Sequence, residues 1–513
     1  MLQGFLAEAR DAAVFESGEP LFDLATSRFS ISDDHGHCLL HLWSEERNIV
    51  RRVLDAAIEH DVLQLSVQRF GQAKPAKLEI CRDRDRRTPS ERKRARNTYQ
   101  ALLRRVLERN FPGWTVDRLS SAADLERSFG PIYTRGLVRR NDSAFAVLGV
   151  GAGETQVSID AALTFAILWL DECRRRFRGL VEGVKLFLPA GTTAVTRARL
   201  VHLEGAGARF QLYELDERDL ALDEVSVTDL GNIASRLVRC PGRELALRRF
   251  AASIERVRAV VHECDIAVLS SSEIAFRLAG LEFARARLAP EAGSFRNTEE
   301  IVFGVGGCET LLTPENLADF GNFVNLIAET RRPGGPRANP IFRMRAERWL
   351  ESLVLRDVTV VDTQLDRDFV YSQVPAFSAS DRAMIDVLTL TRDRRLAVIE
   401  LKADEDIHLP LQGLDYWSRV VWHQQRGEFQ QCGYFAGQDL SPAPPLLFLV
   451  APALHVHPAT DTLLRYISPR LEWTLLGIHE NWRQQLRVIF RKRPPLRAAA
   501  APDTKRPGRE RPA

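Results

Sequence analysis

Residues 385–402 read IDVLTLTRDRRLAVIELK, and this stretch decides the fold expected for the C-terminal part of the chain. Two short apolar runs flank a polar segment, which is typical of a β-hairpin. Because side chains two positions apart share one face of a strand, Glu400 and Lys402 point the same way, while Leu401 points into the core. Asp386 lies on the partner strand. Two carboxylates that converge on apolar strands predict a cation between them, and we expect magnesium.

This spacing resembles the signature of the PD-(D/E)xK nuclease superfamily, which has the restriction-endonuclease-like fold. The residue before Asp386 is isoleucine instead of the proline of the signature, a departure that is common in the superfamily. The resemblance implies that Asp386 and Glu400 bind Mg²⁺, or Mn²⁺ as a substitute, with the Leu401 carbonyl as a third ligand. It also implies that Lys402 positions or activates the attacking water. The alternative interpretation is an ordinary hairpin that carries unrelated charges.

The helix predicted over residues 410–425 has a polar stripe opposite an apolar one. The stripe consists of Gln412, Tyr416, Arg419 and His423. The first two resemble the QxxxY motif of RecB-like members of the superfamily, in which this helix borders the active site. The resemblance implies that Gln412, Tyr416 and Arg419 position the substrate. A solvated helix face with one tyrosine is the alternative.

A second amphipathic helix is predicted over residues 340–356, upstream of the hairpin. In the superfamily the first helix often contributes an acidic residue to the metal site. Glu347 borders the apolar stripe and suits that role, whereas Glu351 is expected further round towards solvent. A surface glutamate without a role in metal binding is the alternative for Glu347.

The remaining elements agree with an α/β core in the order αβββαβ. Strands are predicted at 357–362 and 368–374, and the apolar run LLFLVAP at 446–452 is typical of a strand buried on both faces. A short helix near 459–466 and a strand at 471–477 follow. This order is that of the superfamily's core.

Composition marks the boundaries of an α/β (α+β) multidomain protein of 513 residues. The segment RRPGGPRANP has the prolines and glycines of a linker, and the C-terminal tail, rich in Pro, Ala and Arg, is expected to be disordered. In the first domain, residues 45–59 are expected to form an amphipathic helix among strands. The predicted divisions are a mixed α/β domain at 1–130, an α/β to helical middle region at 131–330, the linker at 331–340, the nuclease-like domain at 341–492 and the tail at 493–513.

Other classes of protein find little support in the composition. The seven cysteines are scattered without the spacing of a zinc site or a disulfide framework. The N-terminus does not have the pattern of a signal peptide, and the longest apolar run, at 161–170, is too short to cross a membrane. The glycine-rich turn at 149–153 lacks the spacing of a phosphate-binding loop. We therefore expect a cytoplasmic protein without a membrane partner.

Together these features predict a Mg²⁺-dependent phosphodiesterase that acts on DNA or RNA, with an endonuclease favoured over an exonuclease. The N-terminal regions are expected to select the substrate or a partner. One alternative is a catalytically inactive nuclease-like module that binds nucleic acid or protein. Another is a scaffold whose function lies in residues 1–330. The sequence leaves the oligomeric state open, a homodimer included.

Overall fold

The computed structural model is mixed α/β, as predicted, and the strands of its described residues form four sheets. By contacts the chain divides into two compact units, each made of two separate stretches. The first unit is Met1–Leu102 with Arg239–Leu353, and the second is Leu103–Val238 with Val354–Ala513. The structure describes residues 5–6, 12–16, 19–24, 28–34, 37–43, 48–59, 62–69, 75–81, 89–204, 207–228, 235–290, 297–305, 309–378 and 381–494.

The first sheet is an antiparallel sheet in the first unit, with the strand order β2-β1-β7-β6-β5-β4-β3. Its strands are β1 Ala13–Glu16, β2 Glu19–Asp23, β3 Arg28–Asp34, β4 His37–Trp43, β5 Asn48–Glu59, β6 Val62–Arg69 and β7 Ala76–Cys81. The helix predicted at 45–59 is wrong, because residues Asn48–Glu59 form strand β5, while residues 45–47 lie outside the described residues. A register shift between Val53 and Asp55 interrupts the alternation of β5 against β6, which made the segment look helical in the sequence.

The second sheet belongs to the second unit and has the order β13-β12-β11-β10-β9-β8. Strands β10, β11 and β12 are parallel, and the remaining pairs are antiparallel. Parallel neighbours require crossover connections, which the helices between them supply. The elements of this stretch are α1 Pro89–Asn110, β8 Thr115–Ser120, β9 Thr134–Arg140, β10 Ser143–Gly149, α2 Gln156–Asp160, α3 Ala162–Arg176, β11 Leu180–Pro189, α4 Ala194–Leu200, β12 Arg209–Leu215, β13 Leu222–Glu224 and β14 Arg236–Leu237.

A third sheet, with the order β15-β16-β17-β18-β19, lies in the first unit. Its core contains Phe250, Phe276, Phe283 and Phe320, none of which has measurable exposure. The elements are α5 Arg243–Arg249, α6 Ala251–Arg258, β15 Asp265–Ser270, β16 Glu273–Leu278, β17 Leu281–Pro290, β18 Asn297–Phe303, β19 Thr310–Leu311 and α7 Leu317–Thr330.

The segment predicted as a linker, residues 331–340, lies within the first unit. Its first residue, Arg331, is buried and donates hydrogen bonds to the carbonyls of Ala279 at 2.7 Å and Ile341 at 2.8 Å. The guanidinium also lies 4.7 Å from the centre of the Trp349 ring. These contacts attach both ends of the segment to the sheet of this unit.

The fourth sheet completes the second unit, with the order β14-β20-β21-β22-β23-β24-β25. Strands β22, β23 and β24 are parallel, whereas the other pairs are antiparallel. The helices α8 Pro340–Arg343 and α9 Ala346–Arg356 precede this sheet in the chain, and α8 and most of α9 belong to the first unit. The elements that follow are β20 Leu365–Ser378, β21 Asp381–Thr391, β22 Leu396–Leu401, α10 Leu409–Gln425, α11 Glu428–Gln431, β23 Leu446–Pro452, α12 Thr460–Leu464, β24 Trp473–Ile478 and β25 Val488–Lys492.

Most elements predicted for this part of the chain are confirmed. The helix at 410–425 and the strand at 446–452 are α10 and β23. The strand predicted at 357–362 is wrong, because residues Val358–Val360 form a single helical turn. Asp357 stabilises that turn, since its carboxylate accepts a hydrogen bond from the Thr359 N–H at 3.1 Å. No helix in the described ranges has the length and apolar character needed to cross a membrane.

Helices lie between the two sheets of the second unit. Helix α3 packs on β10 and β11, and α10 packs on β22 and β23. The helices also contact each other, α4 with α10 and α3 with α12. Arg199 of α4 and Asp415 of α10 form a two-pronged ion pair with distances of 2.9 and 2.7 Å. Paired hydrogen bonds of this kind fix orientation, so the ion pair holds α10 in place.

A lysine is buried among aromatic rings on the second sheet. The Lys185 Nζ donates hydrogen bonds to Gln211 Oε1 at 2.6 Å and to the Tyr213 hydroxyl at 3.3 Å. It also lies 4.3 Å from the centre of the Phe111 ring and 4.7 Å from that of Phe145. Burial lowers the pKa of this ammonium from 10.5 to about 8. The charged form is therefore costly in the folded protein despite its partners.

We predict that Lys185→Met changes the pH dependence of stability. The folded-state pKa lies below the unfolded value, so between pH 8 and pH 10.5 the folded protein binds fewer protons than the unfolded chain. Raising the pH from 7 to 10 should therefore stabilise the wild type relative to Lys185→Met by about 2 kcal/mol. Urea unfolding at both pH values measures the difference. Lys77→Met, at an exposed lysine of β7, is the control and should show no such change.

Candidate functional site

Asp386, Glu400 and Lys402 lie together where the β21–β22 ladder ends. The last pair of the ladder at this end is Val387 with Ile399, so Asp386 and Glu400 are the next residues of their strands. The carboxylate of Asp386 accepts a hydrogen bond from the Leu401 N–H at 3.0 Å. The Lys402 Nζ lies 3.4 Å from Glu400 Oε1. The structure thus brings together the three residues that the sequence placed at one site.

The position of β22 explains why Glu400 is buried. All six residues of the strand are buried, and it pairs with β21 on one side and β23 on the other. The parallel pairing continues to the Lys402 N–H, which donates to the Val450 carbonyl at 2.9 Å. Glu400 is therefore 1% exposed, although its side chain is a carboxylate. Such a group is an exception among buried residues and requires compensation.

The electrostatics of the Glu400 carboxyl indicate missing positive charge. Burial raises its pKa well above the usual range, the charge of Asp386 raises it further, and the Lys402 ammonium offsets part of the shift. In the described part of the chain, Glu400 Oε2 has no hydrogen-bond partner. A buried carboxylate oxygen without a donor is costly, and a bound cation would remove that cost.

Asp406, which the sequence did not indicate, is a second partner of the Lys402 ammonium. Its Oδ2 lies 3.6 Å from the Lys402 Nζ, and its Oδ1 accepts a hydrogen bond from the His408 N–H at 2.7 Å. The ammonium therefore lies near two carboxylates, those of Glu400 and Asp406. In the sequence, the position of Asp406 four residues after Lys402 was the one sign of this contact. An acidic residue just before a helix is also typical of an ordinary turn.

Gln373 of β20 is another residue that the sequence did not indicate. Its Nε2 donates a hydrogen bond to Asp386 Oδ1 at 3.2 Å. The backbone of Gln373 has φ 51°, a conformation that is uncommon for residues other than glycine and that clusters at functional sites. With Leu401 on its other oxygen, Asp386 is held by donors from both neighbouring strands.

The predicted stripe of α10 lies at this site only in part. Gln412 Nε2 donates to the Tyr416 hydroxyl at 3.3 Å. Burial raises the pKa of Tyr416 well above its usual range, and the nearby charges of Glu400 and Asp386 add to the shift. Arg419 donates to the Ala376 carbonyl of β20 at 3.4 Å. The last residue of the stripe, His423, is completely buried and has other partners.

The exposure expected for the two glutamates of the upstream helix is wrong. Glu347 is exposed, whereas Glu351 is 3% exposed and its carboxylate lies 3.0 Å from the Arg348 guanidinium. The predicted single helix is interrupted at Arg345, whose φ is 50°, and α9 begins only at Ala346. This interruption changes which side of the helix is buried. Glu347 as a metal ligand stays a prediction.

The donor set of the site suits a hard cation. Asp386 and Glu400 supply carboxylate oxygens, and Mg²⁺ in proteins is usually held by one or two carboxylates together with water and substrate phosphates. In a strand, the N–H and the carbonyl of one residue point to the same side. Since the Leu401 N–H donates to Asp386, the Leu401 carbonyl also faces the side of Asp386. Among the described residues, no group of three or more His, Cys, Asp or Glu side chains could by itself hold a metal ion.

No protein-family model and no curated protein matches this chain. Its function is therefore argued from the geometry and electrostatics of its own residues. The two features that matter most are the buried Glu400 carboxyl and the Lys402 ammonium beside it.

We predict that Glu400→Gln stabilises the protein in the absence of divalent cations. The raised pKa means that above pH 4.5 the folded protein binds more protons at Glu400 than the unfolded chain, so wild-type stability falls as the pH rises. Glutamine carries no titratable proton, so Glu400→Gln does not lose stability in this way. Its Tm should rise by about 2–4 °C for each kcal/mol of unfolding free energy that the substitution recovers. Thermal melting in EDTA at pH 5 and pH 8 should show a larger advantage at pH 8. Glu405→Gln, at a half-exposed side chain, should show no such trend.

Proposed function

We propose that this chain is a Mg²⁺-dependent nuclease that hydrolyses phosphodiester bonds in DNA or RNA. The observation that carries the proposal is the Glu400 carboxyl, buried between two strands with one oxygen lacking a hydrogen-bond partner in the described residues. Asp386 and Lys402 beside it complete a set of two acids and one ammonium. A set of this composition supports metal-assisted hydrolysis.

The two carboxylates and the Leu401 carbonyl would hold the metal. When bound, Mg²⁺ polarises the scissile phosphate and lowers the pKa of a bound water. The donors to Asp386, from Gln373 Nε2 and the Leu401 N–H, keep its carboxylate in a fixed orientation. Preorganised ligands of this kind reduce the cost of reaching the transition state.

Lys402 has the chemistry to bind and orient the attacking water. Its ammonium is mostly buried, and its position is set by the carboxylates of Glu400 and Asp406, at 3.4 and 3.6 Å. A lysine held in this way donates hydrogen bonds to the nucleophile and to the phosphate oxygens. It also balances part of the negative charge that accumulates during phosphodiester hydrolysis.

The stripe on α10 would position the sugar–phosphate backbone. The Tyr416 hydroxyl is protonated at neutral pH, and its raised pKa keeps it so in more alkaline solution, so it is available as a hydrogen-bond donor. Gln412 donates to that hydroxyl and thereby directs its proton outward. Arg419 is the cation of the stripe and suits a phosphate. Contacts of this type recognise backbone and not base sequence.

Mn²⁺ prefers similar oxygen ligands and is expected to replace Mg²⁺. The N-terminal regions, residues 1–330, are proposed to select the substrate or a partner. Endonuclease action is favoured over exonuclease action, and the substrate panel described next tests this choice together with that between DNA and RNA.

We predict that Asp386→Ala and Lys402→Ala each lower cleavage by at least about 100-fold, because each removes a group that acts on the metal or the water. The assay uses the full-length protein with Mg²⁺ or Mn²⁺ on single-stranded, duplex, branched and nicked DNA and on RNA. Asp393→Ala and Arg392→Ala are matched controls, since both residues are exposed in the turn of the same hairpin. They should cleave like the wild type.

Two outcomes would count against this function. Full activity in pure Asp386→Ala or Lys402→Ala protein would exclude their proposed roles. A wild type that cuts none of the substrates and gains no melting temperature with Mg²⁺ would favour the inactive, binding module. A rise in Tm with Mg²⁺ that Glu400→Gln abolishes would support the metal site independently of cleavage.

A further inference from the structure

Three side chains outside the Glu400 site form a continuous hydrogen-bonded chain. Ser235 Oγ lies 2.8 Å from His423 Nε2, and the other ring nitrogen, Nδ1, contacts a carboxylate oxygen of Glu428. The order is hydroxyl, imidazole and carboxylate. This is the arrangement in which a serine serves as a nucleophile, an imidazole as its base, and an acid orients the base.

The elements that carry these residues explain the arrangement. Ser235 directly precedes β14, the edge strand of the fourth sheet, and is half-buried. His423 lies in the last turn of α10, and Glu428 is the first residue of α11. Between the two helices, Gly427 adopts φ 64°, a left-handed conformation that glycine permits without strain. This turn brings the Glu428 carboxylate back onto the imidazole.

The hydrogen bonds determine the tautomer of His423. The carboxylate of Glu428 can only accept a hydrogen bond when ionised, so Nδ1 carries the ring proton. Nε2 is then the acceptor of the Ser235 hydroxyl proton, as a general base requires. Burial lowers the pKa of His423, although Glu428 opposes that shift, so the imidazole is neutral and ready to accept a proton at pH 7.

A donor for a developing oxyanion lies on the nucleophile itself. Antiparallel pairing of β14 with β20 directs alternate N–H groups of β14 towards β20, as in the 3.4 Å hydrogen bond from the Val238 N–H to the Pro375 carbonyl. By this alternation, the N–H of Ser235, the residue before β14, falls in the set that points away from β20. In serine hydrolases the N–H of the nucleophile is one of the oxyanion donors.

We infer that Ser235, His423 and Glu428 form a second catalytic site, with Ser235 as a nucleophile towards carboxylic esters. The Ser235 Oγ adds to the ester carbonyl carbon while its proton moves to His423 Nε2. The tetrahedral adduct expels the alcohol, which takes that proton from His423, and leaves an acyl group on Ser235. Water then adds to the acyl carbon and loses a proton to His423 Nε2. The second tetrahedral adduct breaks its bond to Ser235 Oγ, which takes that proton back from His423, and the carboxylic acid is released. Glu428 is a positioning residue throughout.

The inference is independent of the proposed nuclease. It uses none of Asp386, Glu400 or Lys402, and the reaction needs no metal, because the imidazole accepts the proton. The two sites share the helix α10, whose Arg419 lies one turn before His423, and the strand β20, which carries Gln373 and pairs with β14, but they share no residue. Variants can therefore inactivate either site separately.

The test is covalent labelling of the full-length protein. A small alkyl phosphonofluoridate loses fluoride to an activated serine, and intact-mass analysis followed by peptide mapping locates the adduct. We expect one adduct, on Ser235, together with a stoichiometric burst of nitrophenol from p-nitrophenyl acetate. Ser235→Ala should abolish both signals. Ser418→Ala is the matched control, because the Ser418 hydroxyl donates to the Asp415 carbonyl, and it should label like the wild type.

Variants of the other two residues separate catalysis from structure. His423→Gln should slow labelling at least 100-fold. Since His423 is fully buried, that variant can fail to fold, and Glu428→Gln provides the second measurement at a 30% exposed side chain. Glu428→Gln should slow labelling at least tenfold with unchanged Tm, and Glu428→Asp should restore part of the rate. Asp386→Ala should label fully.

The inference is overturned if folded wild type gives neither an adduct on Ser235 nor a burst. Labelling of Ser235 at the same rate in wild type and in folded Glu428→Gln would also overturn it, because the hydroxyl would then react without the positioned base. Loss of labelling in Ser235→Ala with unchanged DNA or RNA cleavage would confirm that the two sites are separate.

Discussion

The burial of one carboxyl group, that of Glu400, constrains the whole C-terminal half of the second unit. Strand β22 has a hydrogen-bonded neighbour on each side, and α10 covers one of its faces. In that environment a charge is stable only if other charges or a cation compensate for it. The Lys402 ammonium compensates in part for the Glu400 carboxylate, whereas the nearby Asp386 carboxylate adds to the negative charge of the site. A bound divalent cation would supply the rest.

The sequence predicted this site because its residues are close along the chain and follow the period of a strand. The spacing of apolar residues along the chain predicted both the hairpin of β21 and β22 and the helix α10. Three expectations were wrong for local reasons. The register shift at Val53 hid the strand β5, the turn at Val358–Val360 was read as a strand, and the break at Arg345 changed the buried side of α9.

Other parts of the structure were beyond sequence reasoning because they depend on long-range contacts. Ser235 and His423 are 188 positions apart and meet only because β14 joins the edge of the fourth sheet. The ion pair between Arg199 and Asp415 spans 216 positions. A linker-like composition at 331–340 gave no sign that Arg331 would be buried. Local pattern carries no information about which distant segments pair.

The division of each unit into two separate stretches has a consequence for the synthesis of the protein. When residues Leu103–Val238 leave the ribosome, α10 and α12, which will cover α4 and α3, do not yet exist. The intervening residues Arg239–Leu353 contain a complete sheet and core that can form first. The second unit must therefore keep apolar helix surfaces uncovered until the last third of the chain is made. Apolar surface that stays exposed during synthesis favours aggregation until the covering helices are made.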